Sequence, residues 1–394
     1  MKLAERSNIE VSLTLAMNAK AKTMKAEGID VISFAAGEPD FNTPQHIKES
    51  GKRAIDENLT YYTPASGIPE LKRAVAEKLL QENGLEYDPA HISINSGAKH
   101  SVFNVLSVIV DPGDDVVVPA PYWVSYSEMV RILGGRPVFI PTTEDTGFKI
   151  TPEDLDKVIS KRTRAILLNS PNNPTGAVYS REELFGLAER LENEDMVIVS
   201  DEIYEKIIYD GNVHVSIASY SRKLKEKTVV VNGVSKAFSM TGWRIGYAAG
   251  PKQIIEAVNR LQGHTTGNPA SISQYASLEA ISGDTGFIAD WVKEFRDRRD
   301  YIVKELNGIG GITCSTPQGA FYVFPNISGL LSQAIGGRKI SDSIDLADCL
   351  LAQGRISVVP GKAFGADSYI RISFATSMEN IVEGMKRLKG ALGS

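Results

Sequence analysis

The chain has 394 residues, more than one hydrophobic core usually serves, so its length favours two packed domains. With 42% hydrophobic and 23% charged residues it is not a disordered, collagen-like or disulfide-scaffold chain. Forty-three Lys and Arg against 48 Asp and Glu leave a net charge of -5, without the basic excess that marks a nucleic-acid binder. The two cysteines, Cys314 and Cys349, stand in no zinc or disulfide spacing, so no metal is expected and a reducing cytoplasm fits.

At the N-terminus, Lys2, Glu5, Arg6 and Glu10 precede a short stretch from Val11 to Met17 that Ser12 and Thr14 interrupt, which lacks the apolar core of a secretory signal. No run reaches the roughly 18 to 20 apolar residues of a membrane span. From about residue 91 to 249, β-branched runs alternate with helical patterns. They are His91 to Ile94, Asp115 to Pro119, Pro137 to Ile140, Arg164 to Leu168, Met196 to Ser200, Thr228 to Asn232 and Ile245 to Ala249. Runs such as Val116-Val117-Val118 do not alternate in polarity, which predicts strands buried on both faces of a mostly parallel sheet covered by helices. Helix starts are marked at Thr151, with Pro152 in the first helical position, and at Ser180, whose capping box with Glu183 precedes Leu184, Leu187 and Leu191. After about residue 285 a long amphipathic helix carries Phe287, Trp291, Phe295, Ile302 and Leu306. Arg296, Arg298 and Arg299 read as its solvated face. Short strands follow, among them Ala320 to Phe324 and an alternating Tyr369 to Phe374.

Ligands of open parallel sheets bind beyond the carboxyl ends of the strands. Four such ends carry polar groups: Asn95 to Lys99, Asn169 to Gly176, Ser200 to Tyr204 and Asn232 to Lys236. Ser96-Gly97-Ala98 suits either a phosphate held by backbone N–H groups or a capped tight turn. Lys99 falls in a first helical turn, where the dipole disfavours a cation, so a ligand anion would account for it. Asp201 reads as a helix N-cap or as an acid aimed at a ligand, and Lys236 as a solvated amine or an imine-forming one. Taken together with Tyr204 and Asn173, Asp201 and Lys236 at neighbouring strand ends supply what a pyridine-aldehyde cofactor needs. A nicotinamide dehydrogenase is disfavoured, because no GxGxxG follows any strand.

The segment Ser235-Lys236-Ala237-Phe238-Ser239-Met240-Thr241-Gly242-Trp243-Arg244-Ile245-Gly246-Tyr247 resembles the pyridoxal-phosphate lysine motif of class I aminotransferases of fold-type I. Ala36-Gly37-Glu38-Pro39-Asp40, Pro121-Tyr122-Trp123, Ser170 to Gly176, Ser200 to Tyr204 and Arg371-Ile372-Ser373 match in the family's order, so the resemblance runs from about residue 8 to 390. It implies an α/β fold, with a large seven-stranded, mostly parallel domain over residues 45–285. A smaller α+β domain over 286–394 would be joined by part of an N-terminal arm at 1–44. It implies pyridoxal 5'-phosphate held as an imine by Lys236, which also shuttles the proton. Asp201 would pair with the ring nitrogen, Tyr204 and Asn173 with the 3'-oxygen, and Trp123 would stack on the ring, although a core tryptophan is its other reading. Gly97, Ala98, Ser235 and Arg244 would hold the phosphate. Arg371, with Gly37 and Asn173, would bind the substrate α-carboxylate. Tyr62 resembles the tyrosine that reaches a neighbouring subunit's phosphate, which implies a homodimer.

Lys99 aligns with a lysine that binds the distal carboxylate in bacterial aspartate aminotransferases. The implied reaction is reversible amino transfer from L-aspartate to 2-oxoglutarate, a ping-pong route through pyridoxamine phosphate with amino acid and 2-oxo acid as partners. An aromatic or alanine aminotransferase or a β-lyase is the alternative with the same cofactor. Prephenate activity is not expected, since no lysine stands near Glu10 or Val11. Related folds also serve transcription regulators, but those carry an added DNA-binding region.

Overall fold

A computed structural model describes residues 3–393. All seven expected runs form strands of one sheet. They are β1 (Ile92–Asn95), β2 (Asp115–Ala120), β3 (Arg136–Pro141), β4 (Thr163–Asn169), β5 (Val197–Asp201), β6 (Thr228–Gly233) and β7 (Gly246–Ala249). Their spatial order is β1-β7-β6-β5-β4-β2-β3. Strands β2 to β6 run parallel and β7 alone lies antiparallel to both β1 and β6. Every residue of β1, β6 and β7 is buried, which explains the unbroken apolar runs: helices cover both faces.

Helix α1 (Leu13–Ala26) starts at Ser12, whose hydroxyl accepts from the Leu15 N–H. Helix α2 (Pro69–Asn83) packs outside the sheet, and α3 (Ala98–Ile109) leaves the end of β1. Helix α4 (Arg181–Leu191) opens with the expected box. The Glu183 N–H donates to Ser180 Oγ at 3.2 Å and the Ser180 N–H to Glu183 Oε2 at 2.8 Å. The helix started by Thr151 is a single short turn, Pro152–Asp156. Helix α5 (Phe287–Asn307) is the long C-terminal one.

Residues from both ends of the chain share one apolar cluster. Met17, Ile32 and Phe34 pack with Phe295, Ile302, Phe321, Phe374 and Leu388, and Ile32–Ser33 pairs in parallel with Ile356–Ser357. A three-stranded antiparallel sheet over Val359–Pro360, Ile370–Ser373 and Tyr322–Val323 completes this half. Strand 370–373 is buried on both faces, so Arg371 is not on a solvent side.

The reading of Arg298 and Arg299 as solvated is wrong; only Arg296 is exposed. Arg298 pairs with Asp40 at 2.7 Å and lies over the Phe41 and Phe295 rings, and Arg299 pairs with Asp210 at 2.6 Å over Tyr209. A planar guanidinium can be covered by aromatic faces while its edge reaches a carboxylate, which periodicity alone does not reveal.

Candidate active site

The carboxyl ends of adjacent strands bring the motifs to one edge of the sheet. Asn169 of β4 stands in register with Asp201 of β5. Because β7 runs antiparallel, the residues before it, Arg244 among them, reach the same edge as those that follow β6, Ser235 and Lys236. The edge opens into a cavity of about 370 Å³. Eleven of the residues expected at the site line it: Gly37, Ala98, Lys99, Trp123, Asn173, Asp201, Tyr204, Ser235, Lys236, Arg244 and Arg371. Gly97 sits just behind it and Tyr62 lies away from it, almost fully exposed at 99%.

Lys236 Nζ donates to the Gly37 carbonyl at 2.5 Å. Burial lowers its amine to about 8, so an unprotonated fraction is available near neutral pH. Asp201 is buried, and burial raises its carboxyl to about 6. Its Oδ2 accepts the Tyr126 hydroxyl at 2.6 Å and its Oδ1 the Ile203 N–H at 3.2 Å. Tyr204 Oη pairs with Tyr322 Oη at 2.8 Å. Asn169 takes the Asn173 N–H at 2.9 Å and donates to the Asp201 carbonyl, tying two of the motifs together.

Arg371 is fully buried, which disfavours its charge. Its Nη1 donates to Asn173 Oδ1 at 3.0 Å and its Nη2 to the Ala35 carbonyl at 2.9 Å, while its Nε has no partner. Asn173 thereby keeps its amide nitrogen free to donate to a ligand. The Tyr322 ring lies 4.5 Å from the guanidinium. Lys99, the second residue of α3, extends over Trp123, its Nζ 4.9 Å from the ring. Burial, followed by the charge of Arg244, lowers its amine.

At the start of α3 the backbone is shaped for close approach. Gly97 has φ +91°, and a Cβ there would lie 2.3 Å from Arg244 Nη2. A Cβ at Gly246 would lie 2.2 Å from Ala98 N, so glycine lets the helix end sit against β7. Arg244 itself donates to the carbonyls of Thr241 and Ser96 at 2.9 and 3.3 Å. Among the described residues, none of Lys99, Lys236, Arg244 and Arg371 has a carboxylate within 4.0 Å. Amine, ring acid, glycine-cleared helix N-terminus and an incompletely paired buried guanidinium are the donor set that pyridoxal phosphate and an amino acid require, so the residues fit that cofactor.

Sequence reasoning missed Thr14, Tyr126, Asn169, Thr241 and Tyr322, which also line the cavity. Asn169 opens the Asn169 to Gly176 run and could have been taken with it. Tyr126 and Tyr322 carry no local signal of their own; only the fold sets them against Asp201 and Tyr204.

Comparison with known proteins agrees with this geometry. The family described as aminotransferase class I and II matches residues 29–388. An aspartate aminotransferase of Bacillus subtilis is 46% identical over 390 residues, covering 99% of this chain and 98% of that one. An aspartate/prephenate aminotransferase of Cereibacter sphaeroides is 47% identical over 385 residues, covering 97% and 96%. The crystal structure of the aspartate aminotransferase from Rhizobium meliloti superposes with a TM-score of 0.96 at 44% identity, covering 100% of this chain and 99% of that one.

Proposed function

The chain belongs to the class I and II aminotransferases, and from that premise we propose that it transfers the amino group of L-aspartate to 2-oxoglutarate, giving oxaloacetate and L-glutamate, with pyridoxal 5'-phosphate as its resident cofactor. Four cationic side chains without carboxylate partners converge on a cavity that holds one buried carboxylate, Asp201, and this imbalance carries the reading. It suits a ligand set of one phosphate and two substrate carboxylates.

When bound, the cofactor supplies the carbonyl carbon that takes up the amino group and a ring that draws electrons from the substrate Cα–H bond. Lys236 moves the proton at Cα, a task that suits an amine lowered toward neutrality. Asp201, steadied by Tyr126, holds a proton on the ring nitrogen. Ser235, Arg244 and the Gly97-Ala98 backbone hold the phosphate, and Trp123 covers the ring. Tyr204 and Asn173 serve the 3'-oxygen. Arg371 takes the α-carboxylate through its guanidinium, beside Asn173 and Gly37. Lys99 receives the distal carboxylate, which favours an acidic substrate over an aromatic or alanine aminotransferase or a β-lyase.

Glu10 is exposed, and its N–H donates to the Glu128 carboxylate at 3.2 Å. With no lysine at Glu10 or Val11, prephenate is not favoured. The same reading assigns residues 45–285 to a large cofactor domain and 286–394, with part of 1–44, to a small one, a division that the apolar cluster shared by both chain ends supports. It also takes the enzyme as a cytoplasmic homodimer; no helix among the described residues is long and apolar enough to cross a membrane.

Visible absorbance tests the reading. Purified protein supplied with pyridoxal phosphate should become coloured, bleach with aspartate and recover with 2-oxoglutarate, and Lys236→Ala should abolish the cycle. Protein that stays colourless, or colour that ignores aspartate, would sink it.

A further inference from the structure

His100 makes a contact that the reaction does not use. Its ring is half-buried in the first turn of α3, and its Nδ1 accepts the Ser96 backbone N–H at 3.2 Å. Nδ1 accepts only while it carries no proton, so the ring is neutral with its hydrogen on Nε2. Burial, followed by the charge of Arg244, favours that neutral form.

Ser96 is the last residue before the Gly97-Ala98 turn. On one side Ser101 Oγ donates to Asn95 Oδ1 at 2.8 Å, and Asn95 Nδ2 donates to Gln262 at 2.7 Å, so Asn95 is fixed. On the other side the Ser96 carbonyl anchors Arg244 Nη2. Without the imidazole the Ser96 N–H would be an orphan between these two fixtures, and the turn would be held only by its other bonds, such as the Gly97 N–H to the Asn95 carbonyl at 2.7 Å.

We propose that His100 is a positioning residue for the cofactor phosphate: by capping the Ser96 N–H it holds the Gly97-Ala98 backbone and the Arg244 guanidinium in one orientation around the anion. The role rests on the cofactor reading above and adds a residue that does not line the catalytic cavity; its ring borders instead a second cavity of about 1000 Å³ beside it.

Two variants test it. His100→Ala removes the acceptor, whereas His100→Asn places an amide oxygen where Nδ1 stood. Resolved holoenzyme is titrated by absorbance with pyridoxal 5'-phosphate and, separately, with pyridoxal, which lacks the phosphate. His100→Ala should weaken the phosphate ester by roughly fivefold, the scale of one lost backbone hydrogen bond, and leave pyridoxal unchanged. His100→Asn should restore most of the loss. An equal loss with both ligands would overturn the proposal, since it would place His100 in the fold alone, and so would no loss with either. Wild-type protein that binds neither ligand would overturn the cofactor reading instead.

Discussion

Burial holds the Asp201 carboxyl up at about 6 and the Lys236 amine down at about 8, so the site keeps ionisable groups where folding alone would not place them. An acid whose folded pKa lies above its unfolded value loses stability as pH rises between the two. For Asp201 that window runs from about 4 to about 6, and the loss approaches ~3 kcal/mol above it. Asp201→Asn, measured without cofactor, should therefore gain on the wild type in melting temperature between pH 4 and pH 7.5, while transamination falls by about two orders of magnitude or more. A gap that does not change with pH would mean that the carboxylate charge is not the source of strain. Lys99→Ala should raise the KM for aspartate far more than that for an aromatic amino acid, because only the acidic substrate loses a partner; equal effects would place Lys99 with the phosphate. Most of these residues were legible in the sequence because each follows a strand within a recognisable run. Tyr126, Tyr322 and the buried Arg298 and Arg299 were not, since what decides their role is a partner more than 70 residues away in the chain.

Strands were read more easily than helices at the level of elements. Runs such as Val229-Val230-Val231 are apolar because both faces are covered, and all seven ends fell within two residues of expectation. Helix α1 escaped notice because it buries only Met17 and Ala21, too few to give a period. Of the two-residue strands in the C-terminal half, Tyr322–Val323 falls inside an expected run, whereas Val359–Pro360 is set by tertiary pairing and not by pattern. A buried ion pair joins two elements behind the site: Lys78 of α2 pairs with Glu205, in the turn that follows β5. Burial pushes the Glu205 carboxyl up, but Lys78 overcomes it and holds the group near about 2. A depressed acid contributes stability above its unfolded pKa and loses it as pH falls toward the folded value. This pair should therefore weaken below about pH 4.5, by up to ~3 kcal/mol at pH 2. Lys78→Met leaves the buried Glu205 carboxylate without its cation, with Asn83 still donating to it at 2.9 Å, and should cost about 3 kcal/mol or more in urea unfolding at pH 7. The double variant with Glu205→Leu should recover much of that loss, and an additive double variant would show that the two side chains do not interact.

Across the whole molecule, residues from distant parts of the chain complete one cavity. Gly37 and Arg371 come from the segments whose apolar core joins both chain ends, and Lys236, Asp201 and Asn173 come from the edge of the seven-stranded sheet. Tyr62 does not join them: its ring stands 99% exposed next to Tyr61 at 80%. Two adjacent tyrosines left in water are unusual for a surface meant to remain free, and they suit a face that a second copy covers. If Tyr62 completes the partner's phosphate site, Tyr62→Ala should be inactive at limiting pyridoxal phosphate, and Lys236→Ala inactive at any concentration. In a dimer that pairs the two variants, one site receives an intact Lys236 from one chain and an intact Tyr62 from the other. Unfolding and refolding an equal mixture should then restore about a quarter of wild-type activity, since half of the dimers are mixed and each holds one complete site. Activity that stays at the level of the separate variants would mean that each chain builds its site alone, and the exposed tyrosines would need another occupant.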